Sequence, residues 1–90
     1  MKVEFKSSFI KDLKKVKAKP LRTQVLEIIE KVEDSPSISE LAHVKKLRGG
    51  DIYYRIRLGD YRIGLKIENE TVYFIRFLHR KDIYRYFPKP

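Results

Sequence analysis

The stretch YYRIRLGDYRIGLKIENETVYFIRFL, residues 53–78, decides the fold of this chain. It is rich in β-branched and aromatic residues, and the polar breaks Gly59-Asp60 and Glu68-Asn-Glu70 are short enough to be hairpin connections. Side chains alternate between the two faces of a strand. One face of the predicted strands is therefore apolar and carries Tyr54, Ile56, Leu58, Tyr61, Ile63, Leu65 and Ile67, with Ile52 just before them. The other face is largely basic and carries Tyr53, Arg55, Arg57, Arg62, Gly64 and Lys66. The stretch predicts a meander of antiparallel strands with one face in a core.

A further strand is predicted immediately before this stretch. Val44–Leu47 is followed by the turn residues Gly49-Gly-Asp51, which lead into the first strand of the meander. The predicted strands of the second half are Val44–Leu47, Tyr53–Leu58, Tyr61–Ile67 and Val72–Leu78.

The first half of the chain predicts a short strand and two amphipathic helices. Val3 and Phe5 alternate with charged residues, and Ser7 or Ser8 is a suitable N-cap for the helix that follows. Pro20 suits the first turn of a second helix, which should end near Asp34. The helices present apolar stripes made of Phe9, Ile10, Leu13 and Val16, and of Leu21, Val25, Ile28, Ile29 and Val32. The polar segment from the second helix to His43 is predicted to be a loop, and His43 is assigned a structural role.

The expected fold is a two-layer α+β domain, with two N-terminal helices packed on an antiparallel sheet and residues 1–90 forming one domain. A chain of 90 residues supports a single core. The absence of cysteine excludes a disulfide framework and a thiolate zinc site. No signal-like or membrane-spanning apolar run is present, so we expect a cytoplasmic protein that acts without membrane, metal or cofactor.

Charge points toward a polyanionic partner. The chain holds 21 Lys and Arg against 12 Asp and Glu, a formal net charge of +9. Residues 46–90 contain seven arginines, whereas residues 1–45 contain one. Because the guanidinium fork pairs bidentately with phosphate, the second half is the expected position of an anion site.

Arg55, Arg57 and Arg62 form the core of that site. A tight hairpin would bring all three to one end of the basic face, where like charges without acidic partners cost stability unless an anion sits among them. The alternative is that these arginines are ordinary exposed strand residues that discourage edge pairing. Arg76 interrupts the apolar last strand, either lining the same region or capping the sheet edge.

The chain leaves the sheet with the segment His79-Arg-Lys-Asp-Ile-Tyr84, followed by Tyr86 and Phe87. An imidazole, guanidinium groups and phenols next to the arginine patch suit a phosphodiester reaction. Alternatively, the aromatic residues only pin the C-terminal segment to the sheet. Since the sequence has no acidic cluster suited to magnesium and no P-loop, a nuclease of this kind would need the RNA 2′-hydroxyl as its nucleophile.

The chain resembles the RelE branch of the RelE/ParE toxin superfamily of type II toxin-antitoxin pairs. The resemblance spans nearly the whole chain. It depends on Lys46-Leu-Arg-Gly49, Tyr54-Arg-Ile-Arg57, Gly59-Asp-Tyr-Arg-Ile63 and His79-Arg-Lys-Asp-Ile-Tyr84, taken in that order and with two helices ahead of them.

The resemblance implies a metal-independent mRNA interferase that cleaves mRNA in the ribosomal A site and leaves a 2′,3′-cyclic phosphate. It assigns Arg55, Arg57 and Arg62 to the scissile phosphate, Arg80 to the transition state or leaving group, and Tyr84, or else Tyr86, to substrate positioning. His79 is the candidate proton donor. Some relatives have lysine where this chain has Arg55 and Arg57, and arginine is a poor general base. Further RNA contacts are expected from Lys46, Arg48, Lys66, Arg76, His79, Lys81 and Tyr86.

Two other functions fit the same scaffold. A ParE-like protein would inhibit DNA gyrase without cleaving RNA, and a non-catalytic module would only bind RNA. The dense arginine set favours the interferase. The resemblance also implies a RelB-like antitoxin partner, with an acidic amphipathic or extended segment that wraps the basic domain, besides the ribosome and mRNA.

Overall fold

The sheet and helices follow the predicted order. The computed structural model describes residues 1–48 and 50–88. The elements are β1 (Lys2–Phe5), α1 (Ser7–Lys15), α2 (Lys19–Asp34), β2 (Val44–Lys46), β3 (Tyr53–Leu58), β4 (Tyr61–Glu68), β5 (Thr71–His79) and α3 (Ile83–Tyr86), with a 3-10 turn over Ile38–Glu40. Each strand predicted in the second half is confirmed to within one residue at both ends. Gly49 of the predicted turn lies outside the described residues.

The five strands form one sheet in the order β1-β5-β4-β3-β2. Strands β2 to β5 are antiparallel neighbours, as expected. Strand β1 runs parallel to β5, with Lys2 opposite Thr71 and Phe5 opposite Phe74. The α+β class is confirmed, but the sheet is mixed and not purely antiparallel, because β1 joins the free edge of β5 as a parallel strand.

The core lies between α1 and α2 and the apolar face of the sheet. Alternation assigned the buried face correctly along β3 and β4, where Ile56, Ile63 and Leu65 are buried. The same core contains Phe9, Val25, Ile29 and Val32 from the helices and Val72, Phe74 and Phe77 from β5. Two-layer packing therefore holds on this side of the sheet.

Helix α1 also covers the free edge of β5 beyond the end of β1. The Ser8 hydroxyl donates to the Ile75 carbonyl, and the Asp12 carboxylate accepts the Phe77 N–H at 2.9 Å. The predicted serine N-cap is wrong: Lys6 occupies the cap position without a side-chain hydrogen bond, because Ser8 is turned toward the strand edge. Ile10 of the predicted apolar stripe is exposed, whereas Asp12 is buried. The helix thus uses polar side chains to satisfy an open sheet edge.

The C-terminal segment packs on the second face of the sheet. Helix α3, which the sequence pattern does not predict, buries Ile83, and the Phe87 ring lies against Gly64 and edge-on to Tyr53 at 5.7 Å between centroids. Part of the face expected to be open and basic is therefore covered. None of the helices within residues 1–48 and 50–88 is long and apolar enough to cross a membrane.

Candidate nucleic-acid interface

Three arginines meet around an open hollow at one end of the sheet. This hollow, here called the arginine depression, has a volume of about 520 Å³ and is lined by His43, Arg57, Leu58, Gly59, Asp60, Arg62 and Arg80. Arg57 on β3 is directly opposite Arg62 on β4. Arg80 follows the end of β5, and its N–H donates to the Asp60 carbonyl at 2.7 Å. Arg55, Arg57 and Arg62 were predicted to converge. The structure brings Arg57 and Arg62 together, with Arg80 beside them, but Arg55 does not line the depression.

The hairpin between β3 and β4 sets this arrangement. Leu58 pairs with Tyr61, which leaves a two-residue loop, and Gly59 has φ 58°, as the first loop position of a type II′ turn requires. Arg62 Nη1 donates to the carbonyls of Gly59 and Tyr61, both at 2.9 Å. The turn therefore holds the Arg62 guanidinium close to the loop, and the strand register places Arg57 opposite Arg62.

The depression keeps an excess of positive charge. Asp60 is the carboxylate among its lining residues, and Oδ1 lies 3.7 Å from Arg80 Nε. The side chains of this pair are 73% and 57% exposed, so water and salt screen their attraction. Paired arginines on facing strands repel each other. An anion such as a phosphate would relieve that repulsion with charge-assisted hydrogen bonds.

Arg55 supports the backbone beside the depression. Its Nη1 donates to the His43 carbonyl at 2.9 Å, and its Nε is buried without a hydrogen-bond partner. The side chain is half-buried and is not among those that line the arginine depression. Arg55 thus holds the segment that leads into β2.

His43 belongs to the arginine depression, although its predicted role was only structural. Its carbonyl accepts the Arg57 N–H at 3.0 Å, and its Nδ1 lies 3.0 Å from Arg57 Nη2. These contacts join residues 14 positions apart, and His43 has a left-handed φ of 64°. No local pattern in the sequence predicts such a contact.

A second basic surface, here called the basic groove, lies beside β2. It has a volume of about 550 Å³ and is lined by Lys45, Lys46, Leu47, Arg48, Tyr84 and Pro88. Lys46 Nζ is 3.6 Å from Asp51 Oδ1, an exposed pair, and Tyr84 is 53% exposed. The predicted residues Lys46, Arg48 and Tyr84 thus share a surface, but it is a different one from the depression that contains Arg57, Arg62 and Arg80.

The other predicted site residues lie elsewhere. Arg76 binds the buried Asp12 through Nε and Nη2, at 2.8 and 3.1 Å, and its guanidinium lies 5.4 Å from the centroid of the Tyr86 ring. Of the two predicted alternatives for Arg76, capping of the sheet edge is the one observed. A β-bulge at Gly64/Leu65 shifts the register of β5 next to Arg76.

His79, Lys81 and Lys66 also lie outside the arginine depression. The His79 ring packs edge-on against Tyr61, and its Nδ1 accepts the Lys81 N–H at 3.1 Å. The Lys81 side chain is exposed beyond the end of β5. Lys66 Nζ is 3.2 Å from Glu68 Oε1 and 4.9 Å from the Tyr73 ring centroid. Over residues 1–48 and 50–88, no three histidine or acidic side chains are grouped as metal ligands would be.

Comparison with known proteins identifies the family. Residues 3–84 match the family model described as the ParE toxin of type II toxin-antitoxin systems, parDE. Toxin RelE3 of Methanocaldococcus jannaschii is 47% identical over 89 residues, which are 98% of this chain and 100% of that protein. The chain belongs to the RelE/ParE family of type II toxins. As a RelE-type toxin, it is also 30% identical to Putative toxin RelE1 of the same organism, over 89% of each chain.

Solved RelE structures share the fold. The RelB-RelE antitoxin-toxin complex from Methanococcus jannaschii contains a chain with a TM-score of 0.79 and 44% identity, covering 93% of this toxin and 98% of that chain. The archaeal RelE-RelB complex from Pyrococcus horikoshii gives a TM-score of 0.74 at 26% identity, over 91% of this toxin and 97% of that chain. The resemblance found in the sequence motifs is therefore confirmed at the level of family and fold.

Proposed function

We propose that this RelE-type toxin is a ribosome-dependent mRNA interferase, which cleaves mRNA in the A site and so inhibits translation in the cytoplasm. The observation that carries the proposal is the arginine depression, where three guanidinium groups surround an open hollow beside the screened carboxylate of Asp60. Such a hollow suits a phosphodiester that gains negative charge as it reacts.

The cleavage uses the 2′-hydroxyl of the RNA as the nucleophile and therefore needs no metal-bound water. Arg57 and Arg62 hold the non-bridging oxygens of the scissile phosphate from facing strands. Arg80, at the end of β5, stabilises the leaving 5′-oxygen. The Arg62 guanidinium, which is held by two carbonyls of the hairpin, costs little reorganisation as charge develops, and this is the basis of electrostatic preorganisation.

The basic groove binds the mRNA next to the cut site. Tyr84 offers an exposed ring for base stacking, and Lys46 and Arg48 supply charge for neighbouring phosphates. Arg55 acts indirectly, by holding the His43 carbonyl. Arg76 and Tyr86 brace α3 against α1 through Asp12, so their part is to position the C-terminal segment that carries Tyr84.

The protein partner is a RelB-like antitoxin. Structures similar to this chain come from RelB-RelE complexes, and the formal charge of +9 favours an acidic partner segment. Co-expression with the product of the adjacent gene and affinity capture tests this partner. A stable complex is expected, and failure of the two proteins to copurify would count against the pairing.

Primer extension on a reporter mRNA tests the nuclease. The reactions compare naked RNA, programmed ribosomes with an open A site, and the same ribosomes with the Arg80→Ala variant. Arg22→Ala, which removes an exposed arginine of α2, is the matched control. Cuts in the ribosome reaction that disappear with Arg80→Ala and persist with Arg22→Ala support the proposal. Cuts in naked RNA would make the protein a free ribonuclease instead.

A second candidate, gyrase inhibition, is favoured by the ParE description of the matching family model. It predicts intact mRNA in every reaction and loss of supercoiling by gyrase when the toxin is added. A supercoiling assay run with the same protein preparation separates the two functions.

A further inference from the structure

His43 sits at the edge of the arginine depression in a fixed orientation. Its backbone is held by two bonds to its carbonyl, from the Arg57 N–H at 3.0 Å and from Arg55 Nη1 at 2.9 Å. Left-handed φ is uncommon for a residue other than glycine, and these bonds stabilise it here. His43 is among the residues that line the hollow together with Arg57, Arg62 and Arg80.

The contact between His43 and Arg57 fixes the protonation of the ring. A guanidinium has five N–H donors and no acceptor, so Nδ1 must accept the bond from Arg57 Nη2 at 3.0 Å. Nδ1 therefore carries no proton. The lone pair of His43 Nδ1 therefore contacts Arg57, which also lines the hollow.

The other lining side chains offer no comparable proton acceptor. Arginines do not give up their proton in the working pH range. Asp60 already faces Arg80 across 3.7 Å. His79, the second histidine of the chain, uses its Nδ1 to accept the Lys81 N–H and does not line the arginine depression.

We propose that His43 is the general base of the cleavage, and that Arg57 covers its Nδ1 until a phosphate enters. This inference rests on the proposed interferase function. An incoming phosphate draws the Arg57 guanidinium onto its oxygens, because a charged acceptor forms the stronger hydrogen bond. The uncovered Nδ1 is then free beside the bound nucleotide. The base becomes available only when substrate is present.

The reaction balances as follows in protons and electron pairs. Nδ1 takes the proton of the 2′-hydroxyl while the 2′-oxygen forms its bond to phosphorus. The bond from phosphorus to the 5′-oxygen breaks, its electron pair stays on that oxygen, and Arg80 stabilises the charge. A solvent water protonates the 5′-oxygen, and the resulting hydroxide takes the proton from the imidazolium. The products are a 2′,3′-cyclic phosphate and a 5′-hydroxyl.

Charged side chains surround His43 on several sides. Arg55 and Arg57 face it from β3, Lys31 approaches from α2 in a neighbouring apolar groove, and Arg62, Arg80 and Asp60 lie across the depression. Among these side-chain types, imidazole is the one that ordinarily exchanges a proton near neutral pH. The rate of cleavage should therefore rise with pH up to a plateau, with one proton lost.

The test is the single-turnover cleavage rate on programmed ribosomes from pH 5.5 to 8.5, for the wild type and for His43→Gly. Glycine accepts the left-handed φ, so the backbone is preserved. Loss of a general base is expected to reduce the plateau rate at least about 100-fold and to flatten the pH profile. Added imidazole should restore part of the rate, which a merely structural loss would not allow. Melting curves check that the variant is folded.

Glu70→Asn is the matched control, since Glu70 also has a left-handed φ, 63°, but lies in the turn between β4 and β5. It should cleave at the wild-type rate. Two results would overturn the role of His43 while leaving the proposed interferase function intact. One is a His43→Gly variant that cleaves like the wild type, and the other is a slow His43→Gly variant that keeps its pH profile and is not rescued by imidazole. A pH dependence lost in His79→Gln and kept in His43→Gly would do the same. Absence of any cleavage by the wild type would overturn the proposed function as well.

Discussion

The contact between Gly64 and Phe87 predicts how Gly64→Ala changes the free energy of unfolding. The substitution should destabilise the protein when Phe87 is present and stabilise it when Phe87 is replaced by alanine. A Cβ added at Gly64 would lie 2.8 Å from Cγ and Cδ2 of the buried Phe87 ring, which is closer than carbon atoms approach each other. The backbone φ of Gly64 is one that alanine adopts without strain. The cost of Gly64→Ala is therefore steric alone, and overpacking of this kind costs about 1–3 kcal/mol.

The expected loss for Gly64→Ala is about 2 kcal/mol, or about 8–16 °C in Tm for a domain of this size. Phe87→Ala should cost about 3–5 kcal/mol by itself. Once the ring is removed, the clash with Phe87 is gone, and the lower entropy of unfolded alanine should stabilise by about 0.5–1 kcal/mol. The same substitution thus changes sign between the two backgrounds.

Urea unfolding followed by circular dichroism measures this double-mutant cycle, with sodium sulfate present so that the weakest variant remains folded. The predicted coupling between the two positions is about 2–3 kcal/mol. A cost of Gly64→Ala that is equal in both backgrounds would refute the reasoning. So would a Gly64→Ala variant within about 0.5 kcal/mol of the wild type, since surface substitutions give changes of that size.

Four other substitutions test the ion pairs and the positive surface. Asp12→Ala should lower the free energy of unfolding by about 3 kcal/mol in urea, because it leaves a guanidinium without its buried partner. Asp60→Asn should tighten binding of a short RNA about two- to fivefold at low salt, as measured by fluorescence anisotropy, because it removes the negative charge in the arginine depression. Arg57→Ala and Arg62→Ala should each reduce the slope of log affinity against log salt by about 0.7, the value for one lost phosphate contact on single-stranded RNA.

Glu30→Gln, at an exposed position of α2, serves as the control for the two acidic substitutions. It should change the free energy of unfolding by less than about 0.5 kcal/mol. Equal gains in RNA affinity from Asp60→Asn and Glu30→Gln would show that net charge, and not the charge of the depression, controls binding. A salt slope unchanged in both arginine variants would mean that these residues do not contact phosphate.

The sequence was sufficient for the strands and for the arginine pair across the hairpin. Alternation in residues 53–67 gives the buried face, and the Gly59-Asp60 loop fixes the register, so Arg57 and Arg62 must face each other. Both signals are local. They depend on neighbouring residues, which is why they can be read without the fold.

Long-range contacts escaped prediction for the same reason. The pairing of β1 with β5 depends on which sheet edge the helices leave open. In the sequence, Asp12 is an ordinary polar residue of an amphipathic helix. Its bonds to Arg76 and to the β5 edge become evident only in the folded structure. His43 reaches the arginines through a left-handed turn and a contact to β3, neither of which has a sequence pattern.

The most direct test of the central claim is cleavage of an mRNA with a single 2′-deoxynucleotide on the 5′ side of the scissile phosphate, held in the A site of programmed ribosomes. If the RNA supplies the nucleophile to a phosphate held by Arg57 and Arg62, this substitution abolishes the cut. The same substitution one nucleotide downstream leaves it intact. Cleavage of the deoxy-substituted position at the normal rate would contradict the account, because the attacking oxygen would then come from elsewhere.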